Sequence, residues 1–200
     1  LKSRNIELEF VNDEGGAITK GVVPGVEQPV ALIGVAEKGF LSLQLKALSP
    51  GGHSSLPVPV SETAIGRLAN ALRKIEGAPF ESRIDGISRE FLTQLMPAMK
   101  FMPRLTIANL WLFEPLVIRS MNATPGSAAS IHTTIAPTII KGGMKENVLP
   151  PDATLVINFR IHPRDTTHSV EEHIRDVVDD EQVEITVYNP GRDASPVSDM

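Results

Sequence analysis

Apolar and polar positions alternate with a period of two over residues 41–47, where Leu41, Leu43, Leu45 and Ala47 are separated by Ser42, Gln44 and Lys46. That period turns every apolar side chain to one side of an extended strand, and the run stops at the turn signal Ser49-Pro50-Gly51-Gly52. The spacing then changes to three and four: Ile65, Leu68, Ala69, Leu72 and Ile75 make the apolar stripe of a helix that Ser61 can cap. Two more apolar stretches, 87–102 and 105–121, read as helices with kinks or ends at Pro97, Pro103 and Pro115. A strand rich in Thr and Ile is predicted over 131–140, interrupted by Pro137. In the next, over 153–161, Ala153, Leu155, Ile157, Phe159 and Ile161 face one way and Asn158 and Arg160 the other. Thr166 and Thr167 offer caps to a helix carrying Val170, Ile174, Val177 and Val178, and Ser169 with Glu172 has capping-box spacing as a second start. The last strand covers 183–188.

Ahead of these elements, Ile6 to Val11 reads as a short strand leading into Asn12-Asp13-Glu14-Gly15-Gly16, a Gly turn that carries two carboxylates. Residues 21–28 hold Gly and Pro without apolar period and mark a linker or boundary. From there the order is strand, helix, inserted helices, strand, strand, helix, strand. The expected fold is therefore α+β: a ferredoxin-like antiparallel four-stranded sheet with helices on one face and an inserted helical segment. The second strand of that fold lies at a sheet edge, where Pro137 is tolerable. Trp111, Leu112, Phe113 and Leu116 read as core or interface packing rather than as an aromatic box for a ligand.

Composition narrows the function classes. A chain of 200 residues with 42% hydrophobic content can bury one sizeable core or two small ones. The longest apolar stretch, 107–121, is broken by Asn109, Glu114, Pro115 and Arg119, short of the roughly 18 residues a membrane helix needs, so no membrane span is expected. A net charge of −5 without a basic stripe argues against nucleic acid, and one Tyr with seven Phe gives the sheet little to stack RNA bases on. The absence of Cys removes disulfides, thiolate nucleophiles and sulfur-ligated zinc, and leaves the compartment open. Leu1-Lys2-Ser3 opens the chain without Met, and Met200 closes it after a turn-rich run, so a longer parent is expected.

Candidate chemistry is sparse in the residues themselves. His168 and His173, five apart in a helix, lie on different faces, and with no metal-binding spacing elsewhere no metal cage is expected within the chain. Glu171 and Glu172 sit where carboxylates oppose a helix dipole and read as a solvated cap. Gly51-Gly52-His53-Ser54-Ser55 places an imidazole on a glycine-rich loop with hydroxyls beside it, which suits either an exposed turn histidine or a projected catalytic one. Arg160 is either solvated or a fork for a carboxylate, and Asn147 is either a turn residue or a ligand contact.

Together, Asp13-Glu14-Gly15-Gly16, Ala31-Leu32-Ile33-Gly34-Val35-Ala36-Glu37-Lys38-Gly39, Gly52-His53-Ser54-Ser55, Lys145-Glu146-Asn147-Val148-Leu149-Pro150 and Asn158-Phe159-Arg160-Ile161-His162-Pro163 resemble, in order and spacing, metallopeptidase family 20, that of aminoacylase and carboxypeptidase S. The insert, with Asn109-Leu110-Trp111-Leu112-Phe113-Glu114-Pro115, is similar to the branch that holds carboxypeptidase S and N-fatty-acyl-amino-acid synthase/hydrolase. The resemblance covers nearly the whole chain. It implies a two-domain, two-zinc amidohydrolase or exopeptidase acting on N-acyl amino acids or short peptides, with a lid domain inserted into the catalytic one. Residues 1–30 would be the flank from the catalytic domain and linker, 31–189 the lid and dimerisation domain with its helical insert at about 77–125, and 190–200 the return linker.

The resemblance also implies roles. His53 is the catalytic residue, donating to the substrate carbonyl across a homodimer; Asn147 and Arg160 bind substrate, with Arg160 on a free carboxylate; Asp13 or Glu14 is a zinc ligand in the full-length parent. The family's remaining zinc ligands and its general base have no counterpart here, so the chain alone is expected to hold no zinc and to be inactive. The partners implied are a second copy, the catalytic domain of the same polypeptide and the substrate. A different reading of the same elements is a freestanding ferredoxin-like module that binds a small metabolite and regulates a partner.

Overall fold

The alternation over 41–47 is realised as strand β1, Gly39–Leu48, in which Leu41, Leu43, Leu45 and Ala47 are buried while Gln44 and Lys46 are half-covered. The computed structural model describes residues 2–4, 16–21 and 25–198. Strands β2 (Thr134–Gly142), β3 (Asp152–Ile161) and β4 (Val183–Arg192) complete an antiparallel sheet of order β2-β3-β1-β4. Its central pair runs in unbroken register from Gly39↔Ile161 to Leu48↔Asp152. Helices α1 (Ala64–Gly77) and α5 (Thr167–Val178) pack on one face, where Leu68, Ala71 and Ile75 of α1 and Val170, Ile174 and Val178 of α5 meet Leu43, Leu45, Ile157 and Phe159. This is the ferredoxin-like arrangement expected from the order of elements, and the second strand does lie at an edge. Pro137 sits beside a register shift in β2, so its missing N–H removes little from the ladder.

The ends of the elements refine the sequence reading. Thr63, not Ser61, caps α1: its Oγ1 accepts from Gly66 N at 3.0 Å, while Ser61 lies within the 3-10 turn Val60–Glu62. That turn folds back onto the helix so closely that a Cβ on Gly66 would stand 1.7 Å from the Val60 carbonyl oxygen. Thr63→Ala should therefore cost about 1 kcal/mol in a urea melt and Ser61→Ala almost nothing. Of the starts open to α5, Thr166 is the one used, exchanging bonds with Ser169. β4 extends past residue 188 to Arg192 because Gly191 lets the strand pass over β1; a Cβ there would lie 2.2 Å from the Phe40 carbonyl oxygen.

The insert holds three helices rather than two: α2 (Gly86–Leu95), α3 (Phe101–Ala108) and α4 (Leu110–Met121). Pro97 falls in the 3-10 turn that ends α2, Pro103 in the first turn of α3 where its absent N–H has no helical partner to lose, and Pro115 inside α4. Ile84, Leu92, Ile107, Leu110 and Val117 make a second, smaller core. Trp111 is not part of it: it is 81% exposed, with Leu112 and Leu116 more than half exposed, so of the core or interface packing expected for this cluster, core packing is corrected for these three. The insert is fastened to the sheet by Arg164, which donates to Asp85 Oδ1 at 3.0 Å and to the carbonyls of Glu81 and Ile131.

Two connections converge at the end of the sheet where β1 begins and β3 ends. Residues 25 and 26, within the stretch expected to be a linker, are bound to the insert: Val26 bridges Met99, and Lys100 N donates to the Gly25 carbonyl. The segment leading into β1 and the one leaving β4 also pair with each other, Ser195 N donating to Glu37 O at 2.9 Å and Ser198 N to Val35 O at 2.8 Å. Among the described residues no helix is long and apolar enough to cross a membrane.

Candidate functional site

After β1 the chain reverses through Gly51 (φ 71°) and Gly52 (φ 148°), conformations that L side chains rarely adopt. The reversal lays Gly52 and His53 antiparallel to Leu149 and Val148. Ser54 N donates to the Asn147 carbonyl at 3.1 Å, and Ser49 N to that of Pro151 at 2.8 Å, so two loops distant in sequence become one projection. His53 and Asn147 are thus held together by main-chain bonds.

The His53 ring is exposed, and its orientation is set from within its own loop. Nδ1 accepts the backbone N–H of Ser55 at 3.2 Å and lies 2.8 Å from the Ser55 hydroxyl. A backbone N–H can only donate, so the neutral ring carries its proton on Nε2, the nitrogen left for another molecule. What the loop presents is a hydrogen-bond donor.

Arg160 is elsewhere. It lies on the sheet face opposite α1 and α5, across from Phe40 and Thr134, and is exposed. It stands eight residues along β3 from Asp152, the end near His53, which is about 26 Å of extended chain. The sequence's candidate residues therefore split into two groups at opposite ends of the sheet. Asp13 and Glu14 lie outside the described residues.

Around Arg160 the structure gathers groups that the sequence did not single out. The ammonium of Lys38 donates to the His132 carbonyl at 2.9 Å, and burial, together with the neighbouring Arg160 charge, lowers its pKa to about 8. His162 is buried; desolvation, then Arg164 and Lys38, push its pKa below the ordinary histidine value. Thr133 Oγ1 accepts from His162 N at 2.8 Å and donates to Asp165. The signal for this cluster was the closeness in sequence of Arg160 and His162, the latter just past the end of β3, but the nearness of Lys38 depends on which strands pair. Among the described residues no group of three or more His, Cys, Asp or Glu could hold a metal, so these side chains do not by themselves fit a zinc centre.

Comparison with known proteins shows the family. The family described as peptidase dimerisation domain matches residues 35–186. The N-fatty-acyl-amino acid synthase/hydrolase PM20D1 of Xenopus tropicalis is 41% identical over 199 residues, covering 99% of this chain and 38% of that protein. "Probable carboxypeptidase S-like 2" of Dictyostelium discoideum is 37% identical, over 96% of this chain and 36% of its own length. The chain thus spans well under half the length of the curated relatives it matches. Among solved structures, the metallo-carboxypeptidase Sso-CP2 of Sulfolobus solfataricus superposes with a TM-score of 0.50 at 15% identity, covering 79% of this chain and 43% of that one, a likeness of fold.

Proposed function

Because the chain belongs to the M20 peptidase dimerisation domain family, we propose that it is the lid and dimerisation domain of a di-zinc amidohydrolase or exopeptidase that cleaves N-acyl amino acids or short peptides. The observation that carries this reading is the separation of about 26 Å along β3 between the end that holds His53 and Asn147 and the end that holds Arg160. In an N-acyl amino acid the scissile carbonyl and the carboxylate are only a few bonds apart, so one chain cannot put His53 on the first and Arg160 on the second. Two copies can. In a homodimer, His53 of one subunit reaches the substrate whose carboxylate is held by Arg160 of the other, and Asn147 travels with His53.

The chemistry of this chain's residues follows from their geometry. Nε2–H of His53 donates to the carbonyl oxygen as negative charge develops on it, an interaction stronger in the transition state than in the ground state. The guanidinium of Arg160 accepts a carboxylate in two parallel bonds and so fixes which end of the substrate enters. Two zinc ions, bound mostly by residues of the catalytic domain with Asp13 or Glu14 as this chain's contribution, would supply Lewis acidity; among the described residues there is no such centre, and the chain alone is inactive in this reading. The pairing of Ser195 and Ser198 with Glu37 and Val35 supports 190–200 as a segment that leaves beside the chain's entry into the sheet. For the subunit contact the apolar edge suits best: Ile140 of β2 is 71% exposed and Ile65 of α1 51%, beside unpaired strand donors and acceptors.

His53→Ala in the full-length enzyme should lower kcat about 100- to 1,000-fold, the loss usual for one oxyanion donor, with zinc content unchanged by elemental analysis. Unaltered turnover would remove His53 from the reaction.

A further inference from the structure

The geometry points to Lys38 as a second carboxylate-binding residue, working beside Arg160 on the open face of the sheet; the inference rests on the reading of Arg160 as the residue that meets the substrate's carboxylate. The register closes at Gly39↔Ile161 with Phe40↔Arg160 next to it, so Lys38, one residue before β1, sits at the end of β3 that carries Arg160, whose charge acts on it. Two long side chains that start at the same end of an antiparallel pair can converge on one anion. Lys38 Nζ is tethered by the His132 carbonyl at 2.9 Å, which uses one of its three N–H bonds and fixes where the others can go.

The charge balance of this corner points the same way. Arg164 is fully engaged by Asp85 and two carbonyls, and Arg192 by Glu37. Lys38 and Arg160, among the described residues, form no ion pair with any carboxylate, although Lys38 is half-buried. Asp165 is the nearest acid to act on Lys38, and it is already the acceptor of the Thr133 hydroxyl. Two adjacent cations with no carboxylate in ion-pair contact among the described residues, one of them partly desolvated, repel each other until an anion arrives. An incoming carboxylate relieves both.

That relief makes binding depend on pH in a defined direction. Burial lowers the Lys38 pKa most, Arg160 and Arg164 lower it further, and Asp165 raises it; the Lys38 charge in turn acts on His162. With its pKa at about 8, Lys38 is charged below that pH and loses its proton above it. Affinity for the carboxylate should be full below pH 8 and fall as pH rises, and binding near pH 8.5 should take up a proton.

The test is steady-state hydrolysis of N-acetyl-L-leucine by the full-length enzyme from pH 6.5 to 9.5, with Lys38→Met and Lys38→Arg. The expected result is a KM that climbs above pH 8 in the wild type and a Lys38→Met KM about tenfold higher at pH 7, flat with pH, with a smaller effect on kcat. Lys38→Arg, which does not titrate in this range, should keep a low KM throughout. A Lys38→Met profile that parallels the wild type, or a Lys38→Arg profile that still climbs at pH 8, overturns the inference while leaving the hydrolase reading intact. Absence of hydrolysis at every pH overturns that reading and this inference with it.

Discussion

Mixing His53→Ala subunits with Arg160→Ala subunits should restore hydrolysis to about a quarter of the wild-type rate, although either variant alone should be nearly inert. The figure follows from counting. Random re-association makes about half of the dimers mixed, and in each mixed dimer one site receives an intact His53 from one subunit and an intact Arg160 from the other, while the second site receives neither. If both residues served the same site from one chain, every site in the mixture would lack one of them and nothing would be regained. The measurement is therefore a ratio, insensitive to how large each single loss is. It rests on the placement of the two residues at opposite ends of β3. A mixture no more active than its components would defeat the two-subunit reading even if both residues proved necessary.

Phe159→Ala should remove about 3–5 kcal/mol from the unfolding free energy, a large share of the 5–15 kcal/mol typical of a domain. Phe159 is fully buried between the sheet and the helices, and the ring of Phe80 meets it edge-on with centroids 6.3 Å apart. Truncation loses that contact and opens a void in a layer whose neighbours, Leu43, Ile157 and Ile174, are equally enclosed. Trp111→Ala is the counterpart: the larger side chain on paper, it should change stability by no more than about 0.5 kcal/mol, because four-fifths of it already faces solvent. Urea melts of the two variants, read at unchanged slope, separate the expectations. Equal losses would mean that the insert contributes to the main core in a way its burial does not indicate.

Trp111 also illustrates where sequence reasoning stops. The apolar run 105–121 has enough Leu, Ile and Val to be helical in any setting, and a helix period says which residues share a stripe but not whether anything covers it. Leu110 and Val117 found partners in the insert; Trp111, Leu112 and Leu116 did not. The sheet was far more legible, since the strict alternation of 41–47 and 153–161 leaves only one way to bury a face. Helix caps sat between these cases. Ser61 and Thr63 are both good caps by composition, and only the 3-10 turn ahead of the helix decides between them.

The site was legible as residues and not as an arrangement. His53, Asn147 and Arg160 stand out through the motifs around them, yet nothing in their order along the chain says that the first two touch and the third is a strand's length away. That information lies in pairings between segments some hundred residues apart, His53 with Val148 and Phe40 with Arg160. Lys38 shows the same gap: one charged residue among many in the sequence, it acquires a neighbour only when β1 and β3 are set in register.

The paired incoming and outgoing segments have a mechanical consequence. In the proposed lid, with Val35 and Ser198 hydrogen-bonded side by side, the layer would hang from a two-ply ribbon, and a torque applied there would move the distant imidazole through an arc whose radius is the length of the sheet. A few degrees of swing at the ribbon would displace the ring by more than an ångström, enough to break its aim. Stiffness where the chain is anchored would then act together with the Ser55 bonds on the ring in setting how accurately the donor is delivered.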